Sequence, residues 1–470
     1  MKNVFAILEK ILKITKSKPA TFIANLLFLN KSRIKKDEAV KYVVENVTNN
    51  IFNSTLKKVF LAEECKLMQK YYIKNQIKKL SSKKYKKIVD EYKKQLETLD
   101  SLDSSEEIIK YLAKYYAEDM AADFDPAFLM VFRELARLLF PKMFYSVKVT
   151  SKSRRAIEQI KKIQGKYPIF FIPNHISNSD HLPFCVALNK SGIFHPVIVA
   201  GANLYRGASK ALLPKLNCYK LQRDYIYGDI KWLSNPIYNL VFKYYNKYLW
   251  SKNEPFLFYI EGTRTRTGKI LPPKLGFLKE ILNFVKEEEK IVYFVPISLS
   301  YTAVPEDEEL VDSLKGKKIS ERDLITQHLH LEKVYGMVKD SSIYVNISRP
   351  IQVIPEDIPK PNDFAMKIIN IISKNIVITP TYHIANAIME VKDKDNVFEL
   401  DSIRNYLGGI YLNKLKLNYN FLILLEKEIS IGIDVFIKKN AIKLIEKERY
   451  QIIKKELIEQ YFNRIVHFKQ

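Results

Sequence analysis

The sequence predicts an α/β fold: a central, mostly buried sheet flanked by a helical N-terminal domain and a helical C-terminal region. Three observations carry that reading. From about residue 150, short apolar β-like runs alternate with helical patterns, as in a layered α/β domain. Before that point, apolar residues recur at helical spacing. After about 352, helical patterns return. The expected division is 1–150, 151–390 and 391–470, with the chemistry in the middle segment.

Composition agrees with a folded, basic protein. The 470 residues are 47% apolar and 27% charged, the balance of a globular chain able to bury a large core. Against 52 Asp and Glu stand 77 Lys and Arg, a formal charge of +25. Such an excess implies an anionic partner or surface: phosphate substrates, an acidic carrier protein, acidic lipid or nucleic acid. Nucleic acid is set aside, because no zinc-finger, RRM or KH signature occurs and the charge is spread along the chain. Cys65, Cys185 and Cys218 lack metal-like spacing, and their odd number suggests a reducing compartment; no metal is expected, because no further ligand cluster accompanies His175, Asp180 and His181. The start shows no secretory pattern, and the apolar stretch Phe22 to Leu29 is too short to span a bilayer. A soluble or peripheral protein is expected.

Near the start, Val4, Phe5, Leu8, Ile11 and Leu12 repeat at helical spacing with lysines opposite. With Phe22 to Leu29 they read either as an amphipathic core helix or as a segment lying on a membrane. Lys78, Lys79, Lys83, Lys84, Lys86 and Lys87 form a basic run, a solvated helix face or a lipid or nucleic-acid contact. Ser104 with Glu107 predicts a capped helix bearing Ile108, Leu112 and Tyr115 on one side. Asp125-Pro126 predicts the N-cap and first position of a helix through Phe140. Strands are predicted at 169–172, 196–200, 218–222, 256–260, 291–300 and 343–348, and a helix around 275–285. Pro296 suggests a strand end, bulge or edge. Apolar residues from Ala441 to Ile465 approximate one long helical stripe.

Two stretches carry candidate chemistry. In the first, the apolar run Ile169 to Ile172 ends at Pro173, and His175 and Asp180 follow. On one continuous helix these two would point about 140° apart. Across a strand-to-helix turn they meet, with Asp180 in the first helical turn, and Ser177 with Asp180 reads as a helix start. A histidine near neutral pKa removes a proton from a hydroxyl, and a carboxylate on its other nitrogen fixes the tautomer. The bland alternative is a strand-end histidine beside a capping aspartate.

In the second stretch, Glu261-Gly262-Thr263-Arg264-Thr265-Arg266-Thr267-Gly268-Lys269 follows another apolar run. On an extended chain Arg264 and Arg266 would share a side and clamp a phosphate. Gly262 and Gly268 suit close backbone approach to an anion. A P-loop is rejected: five residues, not four, separate the glycines, and Ile270 follows Lys269.

Taken in order, these blocks resemble the glycerol-3-phosphate acyltransferase branch of the glycerolipid acyltransferases. The family's H-x4-D block looks like His175–Asp180. Its second block, an apolar run ending in a phosphate-binding arginine, looks like Cys218 to Arg223, although Asn217-Cys218 stands where a glycine usually opens it. Its E-G-[GT]-R-[ST]-R-T-G-K block is matched at every position from Glu261 to Lys269, with Thr263 where the bacterial enzymes tend to have glycine. Its V-P-I block looks like Val295-Pro296-Ile297 with Tyr301. The likeness covers about 165 to 390.

The resemblance implies a glycerolipid-acyltransferase-like catalytic domain. Its expected reaction moves a fatty acyl group from acyl-CoA or acyl carrier protein to glycerol 3-phosphate, in phospholipid synthesis, without a cofactor. It makes His175 the general base and Asp180 its orienter. It gives Arg223, Arg264 and Arg266 the acceptor phosphate, within a substrate-binding block that includes Gly262, Thr263 and Lys269. It gives Glu261 an acceptor hydroxyl or a bracing role, and Pro296 the thioester channel. It implies a peripheral place on an anionic membrane, the cytoplasmic face of a bacterial inner membrane. Dihydroxyacetone phosphate and lysophosphatidate are the alternative acceptors, and a catalytically silent membrane protein of this fold is the alternative class.

Overall fold

A computed structural model describes residues 34–52, 57–80, 86–132, 146–178, 180–205, 209–222, 235–317, 342–412 and 419–466. The 1–30 segment, Lys83, Lys84, Arg223 and the end of the helix expected through Phe140 lie outside the described residues. The strands in chain order are β1 (Ser146–Val149), β2 (Ile169–Pro173), β3 (Val197–Gly201), β4 (Cys218–Leu221), β5 (Phe256–Leu257), β6 (Val292–Tyr301), β7 (Ser342–Ile347), β8 (Ile351–Val353), β9 (Val397–Glu399), β10 (Ile442–Glu446) and β11 (Arg449–Ile452). The chain forms two compact units, Met1–Phe128 with Val197–Glu254, and Leu129–Pro196 with Pro255–Gln470. Neither division falls at 150 or 390, because the 197–254 stretch groups with the N-terminal helices.

In the first unit, helices Lys36–Phe52, Lys57–Lys79, Ser105–Met120 and Pro236–Ser251 pack together. Their core includes Val43, Val47, Ile108, Leu112, Val241 and Leu249. Ser104 and Glu107 form the expected reciprocal capping box. Asp125 Oδ1 accepts from Phe128 N at 3.0 Å and caps the helix starting at Pro126. Three buried phenols find polar partners: Tyr116 donates to Gln69, Tyr219 to Asn246, and Tyr245 accepts from Ala122 N. β3 and β4 pair in parallel, Ile198 opposite Cys218. At the end of β4, Gln222 N donates to Tyr238 Oη at 2.8 Å, so Gln222 leaves the strand.

The second unit holds a sheet in which β2 lies between β5 and β6, parallel to both. β7 runs antiparallel to β6 and parallel to β1, and β8 pairs with β6 beyond the end of β7. All five residues of β2 are buried, the signature of a strand covered on both faces. Helix Pro361–Lys374 packs on β6, and helix His181–Lys190 packs on β1 and β7. Pro296 is a strand interior rather than an end, a bulge or an edge, opposite Ile172 of β2. On its other side the partner changes, β7 ending at Ile347 opposite Ile297 and β8 starting at Ile351 opposite Phe294. A residue without an N–H is tolerated there because the ladder is already interrupted.

The C-terminal region is not wholly helical. β9, β10 and β11 form an antiparallel sheet, and the expected stripe from Ala441 to Ile465 is a hairpin followed by helix Lys455–Phe462. Glu448 takes a positive φ of 57° at the turn between β10 and β11. In β11 Tyr450 and Ile452 are buried while Gln451 is exposed, a period-2 alternation, whereas β10 buries only Ile442 and leaves Leu444 and Ile445 exposed. Among the described residues, no helix is long and apolar enough to cross a membrane.

Candidate active site

The end of β2 is fixed before its chemistry begins. Asn174 N donates to Ile297 O at 3.3 Å, and its side chain then imitates backbone. Asn174 Oδ1 accepts from Leu299 N at 2.7 Å, and Nδ2 donates to Leu299 O at 3.1 Å. His175 is clamped through both backbone groups: its N–H donates to Glu261 Oε1 at 2.8 Å, and its carbonyl accepts from Thr265 N at 3.0 Å. Its ring stacks on Tyr259, with centroids 3.9 Å apart and planes at 15°.

His175 Nδ1 lies 2.9 Å from Asp180 Oδ2. The same oxygen accepts from Ile176 N at 2.6 Å and Ser177 N at 3.0 Å, and Asp180 Oδ1 accepts from Tyr301 Oη at 2.8 Å. Backbone amides only donate, so Oδ2 is an acceptor, and Nδ1 carries the proton it shares with that oxygen. In the neutral tautomer that this arrangement favours, Nε2 is the basic nitrogen of the ring. Asp180 is fully buried, while the His175 side chain keeps 19% of its surface exposed.

The helix itself begins at His181, with Asp180 in the cap position and making no cap hydrogen bond. Ser177 is not the cap that its spacing suggests. Its hydroxyl donates instead to Glu306 Oε2 at 2.8 Å. Glu306 also accepts from Asn178 N at 2.5 Å and from Arg264 Nη1 at 3.1 Å. Burial pushes its carboxyl up, against the opposing pull of the Arg264 charge.

The loop from Glu261 to Lys269 lies beside His175 but does not form the expected extended clamp. β5 ends at Leu257, and the chain then folds through bends. Alternation of side chains therefore does not apply. Arg264 turns to Glu306, while Arg266, Thr263 and Lys269 are exposed. Thr265 closes the loop: its hydroxyl donates to Lys269 O at 2.6 Å and accepts from Gly268 N at 3.0 Å. Glu261 is buried and braces backbone, accepting from His175 N and, at 2.8 Å, from Leu271 N. Burial pushes its carboxyl up to about 7, and those two N–H donors pull the other way.

The C-terminal helix holds this loop from outside. Gln460 Nε2 donates to Arg266 O and Asn463 Nδ2 to Thr267 O, each at 2.9 Å. Gly268 has φ +89°, and a Cβ there would lie 1.8 Å from Gln460 O. Only glycine fits such a backbone approach. A small pocket opens between the two segments, lined by His175, Glu261, Thr265, Gly268, Tyr382 and Arg464 among others.

Asn174, Tyr259, Glu306, Gln460 and Arg464 were not legible as site residues. Glu306 follows β6 by five positions and could have been sought as the counter-charge to Arg264. The others are brought in by contacts between distant segments. Before β4, Asn217 takes φ +62°, the left-handed conformation that glycine adopts freely and asparagine tolerates. It therefore does the backbone work of the missing glycine.

Residues 154–300, which hold this pair and the whole of the 261–269 loop, match the acyltransferase family by sequence. Over 241 residues the chain is 27% identical to a glycerol-3-phosphate acyltransferase of Pseudomonas putida (strain GB-1), covering 51% of this chain and 27% of that protein. A glycerol-3-phosphate acyltransferase of Pseudomonas fluorescens (strain SBW25) is likewise 27% identical over 247 residues, 52% of this chain and 28% of that one. The chain thus matches little more than a quarter of the length of these relatives. A solved 1-acyl-sn-glycerophosphate acyltransferase from Thermotoga maritima aligns at TM-score 0.31 and 13% identity, over 68% of this chain and 94% of that one.

Proposed function

We propose that the protein is a glycerol-3-phosphate 1-O-acyltransferase. The observation that carries the reading is the His175–Asp180 pair, with Nδ1 held and the ring partly exposed beside an arginine-bearing loop. His175 Nε2 takes the proton of the acceptor's primary hydroxyl as that oxygen attacks the thioester carbonyl carbon. The tetrahedral intermediate expels the thiolate, which takes the proton from Nε2. An ester and a free thiol result, and no acyl-enzyme is needed. Asp180 orients the ring and stabilises the imidazolium formed in between.

Arg223, Arg264, Arg266 and Lys269 would supply charge for the acceptor phosphate. Arg264 enters that role already aimed by Glu306. Gly262 and Thr263 lie on the same loop, and Pro296 would shape the donor's path. Glu261 acts by bracing. The thioester is acyl-CoA or an acyl carrier protein, and the charge of +25 suits either, as it suits an anionic membrane on the cytoplasmic side of a bacterial inner membrane. The test is a competition among glycerol 3-phosphate, dihydroxyacetone phosphate and lysophosphatidate as acceptors, with both donors. Glycerol 3-phosphate should give the highest kcat/KM. Preference for lysophosphatidate would overturn the acceptor assignment, and no transfer to any acceptor would favour a catalytically silent protein.

A further inference from the structure

The C-terminal segment puts one more charge at this site. Arg464 follows helix Lys455–Phe462, is 3% exposed, and lines the pocket shared with His175, Glu261 and Thr265. Its Nε and Nη2 are buried and have no hydrogen-bond partner. Among the described residues no carboxylate forms an ion pair with it. The rings of Tyr382 and Tyr461 lie 6.0 and 5.9 Å from Cζ, which softens the burial of a cation. Aromatic faces do not use its N–H donors.

An arginine stays charged, and a buried charge with idle donors is costly unless something pairs with it. Nε and Nη2 form one edge of the guanidinium, two parallel donors matched to two oxygens of one phosphate. We propose that this edge of Arg464 binds the phosphate monoester of the acceptor, next to His175. The proposal rests on the function given above and adds a binding residue from the C-terminal region to it. The pocket is small, about 10 Å³, room for about one water. The phosphate therefore enters by parting the side chains over Arg464.

Binding of glycerol 3-phosphate and of inorganic phosphate to the full chain, by calorimetry, tests this without a thioester. Arg464→Lys keeps the charge but loses the fork, and Arg464→Met loses both. Acceptor affinity should fall about 10–100-fold, more in Arg464→Met. Acceptor KM should rise with it while donor KM moves less than about twofold. Folded variants with unchanged acceptor affinity would overturn the proposal. So would a rise confined to donor KM, which would place the donor's phosphates there. A wild-type chain that neither binds glycerol 3-phosphate nor transfers acyl groups would instead sink the function itself. If both variants fail to fold, mass-spectrometric mapping of phenylglyoxal modification decides. Glycerol 3-phosphate should slow reaction at Arg464 in the wild-type chain, and equal rates with and without it would end the idea.

Discussion

At the scale of single residues, the site is a set of buried carboxylates with different tasks. Asp180 takes four hydrogen bonds and aims one ring nitrogen. Asp180→Asn keeps the shape but replaces an acceptor with an amide, so the ring can turn or change tautomer. Turnover should fall by about 10²–10⁴-fold, measured as thiol release, with the melting temperature compared alongside. Glu306 and Arg264 form a pair whose carboxylate is almost wholly buried. Arg264→Ala should therefore cost about 3 kcal/mol of stability besides raising acceptor KM. Urea unfolding checks this, and adding Glu306→Gln should recover part of the loss.

Glu261 gives a pH dependence. Its pKa is raised in the folded chain, to about 7, so the folded state holds a proton that the unfolded chain releases near its ordinary value. Its effect on stability is therefore most favourable below the ordinary value and declines as pH rises to about 7. Glu261→Gln should flatten that part of the profile. It should also cost about 1–3 kcal/mol, because the amide cannot accept from both His175 N and Leu271 N. Melting curves from pH 4 upward test both statements, and an unchanged slope in the variant would contradict the assignment.

At the scale of elements, β2 and β6 were legible because continuous apolar runs end at polar punctuation. Observed bounds differ from the expected ones by a single residue at each shifted end. The shape of the 261–269 loop was not legible. Reading two arginines as neighbours assumed an extended chain, and the loop is folded by Thr265 and by Gln460, far along the sequence. That contact makes a sharp prediction. Gly268→Ala places a Cβ against Gln460 O at a positive φ and should lower both stability and turnover. Gly408→Ala, in helix Leu400–Leu412 with open space around the new Cβ, should instead stabilise by up to about 1 kcal/mol. Equal effects in thermal melts would contradict the proposed fit of loop against helix.

At the scale of the molecule, fold class and the sheet-bearing segment followed from local pattern, whereas the grouping of segments did not. The 197–254 stretch carries β3 and β4 yet belongs to the unit of the N-terminal helices. The last 80 residues show no motif, and the helical spacing of 441–465 hides a hairpin. Their contribution to the site rests on Gln460, Asn463 and Arg464, which contacts alone reveal. The measurement that bears most directly on the whole account is acyl transfer to glycerol 3-phosphate by the purified chain and by His175→Ala. The wild-type chain should release thiol and form lysophosphatidate, and the variant should be about 10²–10⁴-fold slower at an unchanged melting temperature. Near-equal rates would contradict it.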